Sequence, residues 1–365
     1  MKTDPWLDPT RAVRPGEELD AAWLERCLLD ALPGTRGPLT LEQFPSGHSN
    51  LTYRLGLGDR ELVLRRPPFG AKAITAGHDM EREFKLLQAL HPSFGKVPKP
   101  LLFRAEDASP LGAPFYVMER VFGLILRNRP PKEIALTPER MRTLSQAFVD
   151  QLAALHALDL DAAGLAGFGK PAGYLARQVQ GWTGRYQKAR TDDLPDVDAV
   201  AAWLAAHTPA EAAPALIHND FKYDNLVLDP DSLAIRAVLD WEMATVGDPL
   251  SDLGMALAYW IQADDPPEVQ ALNVGLTSLP GNLSRRELVE RYAGATGRDV
   301  SGIHWHYVLS LFKVCVIAQQ IYARFHAGLT RDERFGRLIG AVRVLSALGA
   351  RVIETGDLRP VPGLR

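Results

Sequence analysis

Only two cysteines occur in 365 residues, Cys27 and Cys315, far apart and inside apolar helical patterns. They read as two buried thiols rather than a disulfide or a metal site. An excess of either charge is also missing: 41 Lys and Arg stand against 44 Asp and Glu, a formal net charge of −3. No basic field is therefore available to grip nucleic acid or an anionic membrane broadly. Met1-Lys2-Thr3-Asp4-Pro5-Trp6 carries no apolar leader core. The longest apolar run near the C-terminal end, 308–321, is interrupted by Lys313 and two glutamines, too short and too polar to cross a bilayer. Internal repeats and low-complexity stretches are lacking. These absences lead to the expectation of a cytoplasmic protein that partners neither nucleic acid nor membrane. What is present is an ordinary composition, 46% hydrophobic and 23% charged, in a chain long enough to bury a large core and divide into two lobes.

The chemistry is concentrated in His218-Asn219-Asp220-Phe221-Lys222-Tyr223-Asp224-Asn225, followed by Asp240 at the end of an apolar run. The pattern is H-x-D-x-K-x-x-N, then an Asp. Phosphoryl transfer from ATP needs such a set. One carboxylate positions the acceptor hydroxyl, and an amide and a second carboxylate hold Mg²⁺ on the phosphates, because catalysis there is mostly positioning and charge stabilisation. The apolar residues 214–217 place His218 where a buried strand opens into a loop. Residues 226–228, 229–232 and 235–239 read as strand, turn and strand, a hairpin that returns Asp240 to the same site. Taken singly, Asp220, Asp224 and Asn225 are as well explained as turn formers, and Asp240 as a helix cap. The whole constellation at this spacing is better explained by a kinase loop.

At this point the sequence resembles the aminoglycoside phosphotransferase-like kinases, a branch of the protein-kinase-like fold. Within it, the chain is most similar to the kinase-like domains found beside or fused to acyl-CoA dehydrogenases. The resemblance is carried by Ser46-Gly47-His48-Ser49-Asn50-Leu51-Thr52-Tyr53, Val63-Leu64-Arg65-Arg66-Pro67-Pro68, His78-Asp79-Met80-Glu81-Arg82-Glu83 and Pro114-Phe115-Tyr116-Val117-Met118-Glu119-Arg120. To these it adds the loop above, Leu239-Asp240-Trp241-Glu242 and Gly247-Asp248-Pro249, and it spans about 35 to 350. It implies an α+β bilobal fold, with a small β-rich nucleotide-binding lobe over 1–120 and a larger, mostly helical catalytic lobe over 121–365. It also implies ATP and Mg²⁺ as cofactors, a small-molecule hydroxyl as acceptor and a functional link to an acyl-CoA dehydrogenase. Asp220 would accept or orient the hydroxyl proton, Lys222 would neutralise the moving phosphoryl group, and His218 would brace the loop. Asn225 and Asp240 would ligate Mg²⁺ through hard oxygens, and Asp252 would support the loop backbone.

In the first lobe, 17–32 has helical spacing, followed by strands near 39–45, 50–57 and 60–66. The turn with Gly47 could cover phosphates through backbone N–H groups and the hydroxyls of Ser46, Ser49 and Thr52, although it has one glycine rather than the three of a protein-kinase loop. Arg65 ends the third strand. In the resembled family a cation, often Lys, stands there against a helical Glu, which Glu83 matches. Arg and Lys are not interchangeable, and Arg66 or Lys72 could share the task. On the helix at 78–90, Met80, Phe84, Leu87 and Leu90 form the apolar stripe and Glu83 lies off it, able to point at the site. Strands follow at 98–103 and 114–121. The resemblance implies that Met118 lines the adenine pocket and that backbone groups of Glu119 and Val121 bind the adenine edge.

In the second lobe, amphipathic helices are expected at 137–158 and 173–191, and further helices near 284–296, 302–327 and 331–355. Tyr174, Leu175, Gln178, Trp182 and Tyr186 form a stripe that is either core or an acceptor wall. The acceptor candidates are Arg177, Trp182, Arg185 and Tyr186, with Lys188 beside them. Glu287, Glu290 and Asp299 alternate with Arg285, Arg286, Arg291 and Arg298, which is no acidic wall for a polycationic aminoglycoside. The resemblance therefore favours a hydroxyacyl group or its CoA thioester. Three rivals stand beside this reading: an aminoglycoside-type O-phosphotransferase, a protein kinase, and a catalytically idle nucleotide-binding module. The protein kinase is disfavoured because Asp248-Pro249 follows Asp240 too soon for an activation segment. The idle module draws on Arg65 and the sparse glycine loop.

Overall fold

The computed structural model describes residues 7–45, 50–70, 78–272 and 274–359. The chain divides into two compact units. One comprises the residues up to Ile125 with 161–165 and 225–243; the other comprises 126–160, 166–224 and everything from Ala244 on. Ser46, Gly47, Ser49 and Lys72 lie outside the described residues.

The first unit starts with α1 (Ala21–Ala31), whose N-cap Asp20 accepts from the Trp23 N–H. Then come β1 (Leu39–Gln43), β2 (Leu51–Leu57), β3 (Arg60–Arg66), α2 (Met80–Ser93), β4 (Pro100–Arg104) and β5 (Phe115–Glu119). The strands form one antiparallel sheet in the order β1-β2-β3-β5-β4. Side chains alternate between faces along a strand, and directly opposed residues share a face. Leu51, Tyr53 and Leu55 oppose Arg66, Leu64 and Leu62. That face packs with Leu24 and Leu28 of α1 into a core. The other face carries Val63 opposite Met118 and Arg65 opposite Tyr116, and α2 brings Phe84 against Tyr116 and Phe103 there.

Alternation thus separates the two neighbouring arginines. Arg66 lies on the α1 side, 2% exposed, donating from Nε to the Pro67 carbonyl and lying 3.7 Å over the Phe69 ring. It does not share a site with Arg65. A second difference concerns Glu83. The buried face of α2 is Met80, Glu83, Leu86, Leu87 and Leu90, so Glu83 is inside the buried stripe rather than off it. Burial of a carboxylate there requires a counter-ion from the sheet, and Arg65 supplies it.

The chain continues through α3 (Pro138–His156), α4 (Tyr174–Ala189), α5 (Pro195–Ala206) and β6 (Ala215–Ile217). Thr137 caps α3, with Pro138 in its first turn. Next come β7 (Leu226–Leu228) and β8 (Ile235–Val238), an antiparallel hairpin that belongs to the first unit and is bridged to it by Leu124 and Leu228. Back in the second unit, β9 (Thr245–Gly247) pairs with β6. The remainder is helical: α6 (Pro249–Ala258), the single turn α7 (Pro267–Gln270), α8 (Arg285–Thr296), α9 (Ile303–His326), the short α10 (Glu333–Gly336) and α11 (Leu338–Thr355). A capping box of Ser284 and Glu287 starts α8. The single helix expected over 331–355 is two helices, with Gly336 close against the Phe325 ring at the junction. The apolar run 308–321 is part of the 24-residue α9, which by length and composition could cross a bilayer. Its apolar surface is taken up by α4, α6 and α11, and Lys313 is among its buried residues.

Candidate functional site

In the first unit, Arg65 is the centre of a carboxylate cluster. Its Nη1 donates to Glu83 at 2.8 Å, and its Nη2 donates to Asp240 at 2.9 Å and to Glu242 at 3.2 Å. Glu242 also accepts from the Asn50 amide at 2.6 Å, and the Asn50 oxygen lies 2.8 Å from His78 Nδ1. Burial works against the Arg65 charge, but Glu83, Asp240 and Glu242 outweigh it and hold the guanidinium protonated. Burial pushes the Glu83 carboxyl up, against the pull of Arg65. Glu242 and Asn50 had no site role in the sequence reading. The available signal was Glu242 falling two positions after Asp240, on the turn that follows the hairpin.

That hairpin sets the relation of Asn225 to Asp240. Leu226 pairs with Val238, and the Leu239 N–H donates to the Asn225 carbonyl at 2.8 Å. Asn225 and Asp240 therefore flank the same open end. Asp240 has a φ of 65° and so does Asn219, left-handed conformations that are uncommon outside glycine and concentrate at functional sites. An amide oxygen and a carboxylate are hard donors. Two of them, rather than an all-protein cage, suit Mg²⁺, which keeps waters and substrate phosphates in its shell. The donor set fits that ion. On the neighbouring sheet, Met118 is buried on β5, the Glu119 N–H donates to the Lys99 carbonyl, and the Val121 N–H takes no partner among the described residues.

In the second unit, the loop after β6 is held from beneath by Asp252. This fully buried carboxylate accepts from the His218 N–H at 2.5 Å, from the Asn219 N–H at 2.7 Å, and lies 3.1 Å from His156 Nε2. The Tyr292 hydroxyl sits 2.7 Å from His156 Nδ1. Burial opposes the Asp252 charge, yet His156 and the His218 contacts keep its carboxyl below the usual range. The Asp220 N–H donates to His218 Nδ1 at 3.2 Å. Lys222 Nζ lies 3.0 and 2.9 Å from the two Asp220 oxygens and 4.8 Å from the Tyr259 ring centre. Burial pulls the Lys222 ammonium down, but Asp220 and Tyr259 raise it beyond its ordinary value. A recess of about 280 Å³, solvent included, is lined by Lys222, Tyr223, Asp224, Tyr259, Trp260 and Thr277, among others. The buried Oδ1 of Asp224, one of the lining residues, has no hydrogen-bond partner among the described residues, and burial pushes its carboxyl up.

Of the acceptor candidates on α4, Trp182 and Tyr186 are buried. The Arg185 guanidinium lies 4.4 Å from the Trp182 ring centre and Lys313 of α9 lies 5.8 Å from it. Arg177 is elsewhere, its guanidinium engaged by the carbonyls of Lys170 and Ala172. Tyr186 has a buried hydroxyl without hydrogen-bond partner among the described residues, pushed up to about 12 by burial. The structure thus groups Trp182 with Arg185, separates both from Arg177, and adds Lys313.

The family model of the phosphotransferase enzyme family matches residues 40–288. Acyl-CoA dehydrogenase family member 10 of Mus musculus is 36% identical over 323 residues, covering 87% of this chain and 30% of the relative. Acyl-CoA dehydrogenase family member 11 of Gallus gallus is 35% identical over 351 residues, covering 93% and 44%. The chain spans less than half the length of these curated relatives. Among solved structures, a Ralstonia eutropha protein provisionally named an aminoglycoside phosphotransferase superposes with a TM-score of 0.79 at 29% identity, over 92% of this chain and 99% of that one.

Proposed function

The chain belongs to the phosphotransferase enzyme family, and from that premise we propose that it is a small-molecule kinase that moves the γ-phosphoryl group of Mg-ATP to the hydroxyl of a hydroxyacyl group, free or as its CoA thioester. The observation that carries the reading is the Asp220–Lys222 pair on a loop whose backbone N–H groups are fixed by Asp252. Asp220 accepts a hydrogen bond from the acceptor hydroxyl and takes its proton as the oxygen bonds to phosphorus. The loose transition state asks little base strength of it. Lys222, held on Asp220, turns its charge to the equatorial phosphoryl oxygens as negative charge spreads over them. His218 keeps the Asp220 backbone in register through its ring nitrogen.

Asn225 and Asp240 would hold Mg²⁺, which when bound neutralises charge on the transferring phosphates. Arg65, oriented by Glu83, contacts the non-transferred phosphates, and Met118 with the backbone of Glu119 and Val121 takes the adenine. The hydroxyacyl preference is supported by relatives named for acyl-CoA dehydrogenation. It is also supported by the charge pattern of the late helices. Glu290 pairs with Arg286 and Glu287 with Arg142, while Arg291 is taken by Asp150 of α3, so the carboxylates of α8 are matched rather than gathered into a polycation site.

The test is ADP release from Mg-ATP with hydroxyacyl-CoA thioesters, free hydroxy acids and aminoglycosides as acceptors, with Asp220→Ala as the blank. Asp220-dependent turnover with the first two classes is expected. Turnover with aminoglycosides alone moves the acceptor to that class. Mg-ATP binding without transfer to any acceptor leaves an idle nucleotide-binding module as the better description.

A further inference from the structure

Lys313 is a cation in the wrong place for a fold. It sits two turns along α9 from His306, 5% exposed, on a helix whose buried residues are mostly apolar. Among the described residues its ammonium has neither a hydrogen bond nor an ion pair; it lies 5.8 Å from the centre of the Trp182 indole. The same indole carries Arg185 at 4.4 Å, and Arg185 likewise has no ion pair among the described residues. Two cations thus lie 4.4 and 5.8 Å from one indole centre, and among the described residues no carboxylate is bonded to either. A cation over an indole is stabilised by the ring, but two of them repel each other.

The charged groups that Lys313 feels are Asp252 on α6 and Arg185 on α4. Asp252 cannot close on it, because its oxygens are already taken by the His218 and Asn219 N–H groups and by His156. Burial brings the Lys313 ammonium down to about 8; Asp252 pulls the other way, and Arg185 adds a smaller push downward. A buried lysine without a counter-charge is costly, and the hydrophobic alternative would fill the same volume without that cost. Among the described residues, Asp252 acts on Lys313 only at a distance, and no carboxylate closes on either cation.

We propose that Lys313, Arg185 and Trp182 form a binding site for an oxyanion carried by the acceptor, a carboxylate or a phosphate, with the indole as its wall and the two cations as its counter-charges. The proposal rests on the kinase reading only for the word acceptor; the anion site itself stands on the cluster. An anion bound there restores the Lys313 charge, so affinity is greatest below about pH 8 and falls as Lys313 loses its proton above it.

Calorimetric titration of the full chain tests this with three probes: 3-hydroxybutyrate, its methyl ester and coenzyme A. Binding of the acid but not the ester identifies a carboxylate, and binding of coenzyme A identifies a phosphate; either supports the site. Lys313→Met and Arg185→Gln are expected to weaken the bound probe at least tenfold while Mg-ATP binding stays at the wild-type value. Arg185 is exposed, so the second variant retains the fold even if the first does not. The inference is overturned if the wild-type chain binds none of the three, or if both folded variants bind as tightly as wild type. Failure of Mg-ATP to bind would count against the kinase reading alone.

Discussion

Two buried cations, Arg65 in the sheet unit and Lys313 in the helical unit, are treated in opposite ways. Arg65 in the sheet unit donates to three carboxylates, and its charge is strengthened. Lys313 in the helical unit has an aromatic ring and a second cation for neighbours, and its charge is weakened. The first arrangement carries surplus negative charge, suited to a divalent cation with phosphates. The second carries surplus positive charge, suited to an anion. Burial alone therefore says little about a charge; what matters is whether its neighbours already compensate it.

The sharpest way to break the contrast is to remove a carboxylate from the Arg65 cluster. Asp240→Ala is expected to lower phosphoryl transfer by on the order of a hundredfold or more, the scale of losing one preorganised charge at a reacting centre. Circular dichroism should show the fold intact, and full turnover by this variant would remove Asp240 from the mechanism. Glu83→Gln addresses stability instead. Losing one member of a buried pair costs on the order of 3 kcal/mol, the low end for such pairs because Asp240 and Glu242 remain beside Arg65. Urea unfolding reads it, and an unchanged midpoint would mean that Glu83 is not the main counter-ion.

Lys313→Met should act in the opposite direction. Lys313 titrates near 8 in the native chain against an ordinary value of 10.5. Between those values the unfolded chain holds a proton that the native chain has released, so stability rises with pH across that window and the full penalty applies below it. At pH 7 the Met variant is expected to be more stable by on the order of 3 kcal/mol, with the rise between pH 8 and 10.5 flattened. A less stable variant with an unchanged pH profile would mean that an unrecognised partner compensates Lys313. The smallest effect provides the scale. Arg142→Ala breaks a surface pair with Glu287 and should cost less than about 1 kcal/mol in the same assay.

The strand β2 and the hairpin around 229–232 were legible in the sequence because alternation and Asp-Pro turn chemistry leave few other readings, and β3 followed as the short apolar run after the turn at 58–59. The proximity of Asn225 to Asp240 followed from that hairpin. Glu83 was misplaced because a helix stripe drawn from apolar residues leaves out a carboxylate whose partner lies eighteen residues earlier on a strand. The separation of Arg65 from Arg66 follows from the pairing register of β3, which a strand apolar on both faces does not display in its sequence. Glu242, Asn50 and Lys313 depend on contacts between elements distant in sequence, and local periodicity holds no record of those. Lys313 in particular counted only as a polar interruption of an apolar run, although a lone lysine on a core helix is itself a signal.

The hairpin that carries Asp240 belongs to the sheet unit although nearly a hundred residues separate it from Ile125 in the chain. This has a consequence for recombination. A crossover with a related gene placed near residue 125 would deliver the sheet from one parent and Asn225, Asp240 and Glu242 from the other, mixing the two sides of the Arg65 cluster. Chimeras that exchange 225–243 together with the N-terminal segment keep each parent's pairing intact, and they are the ones expected to fold and bind nucleotide.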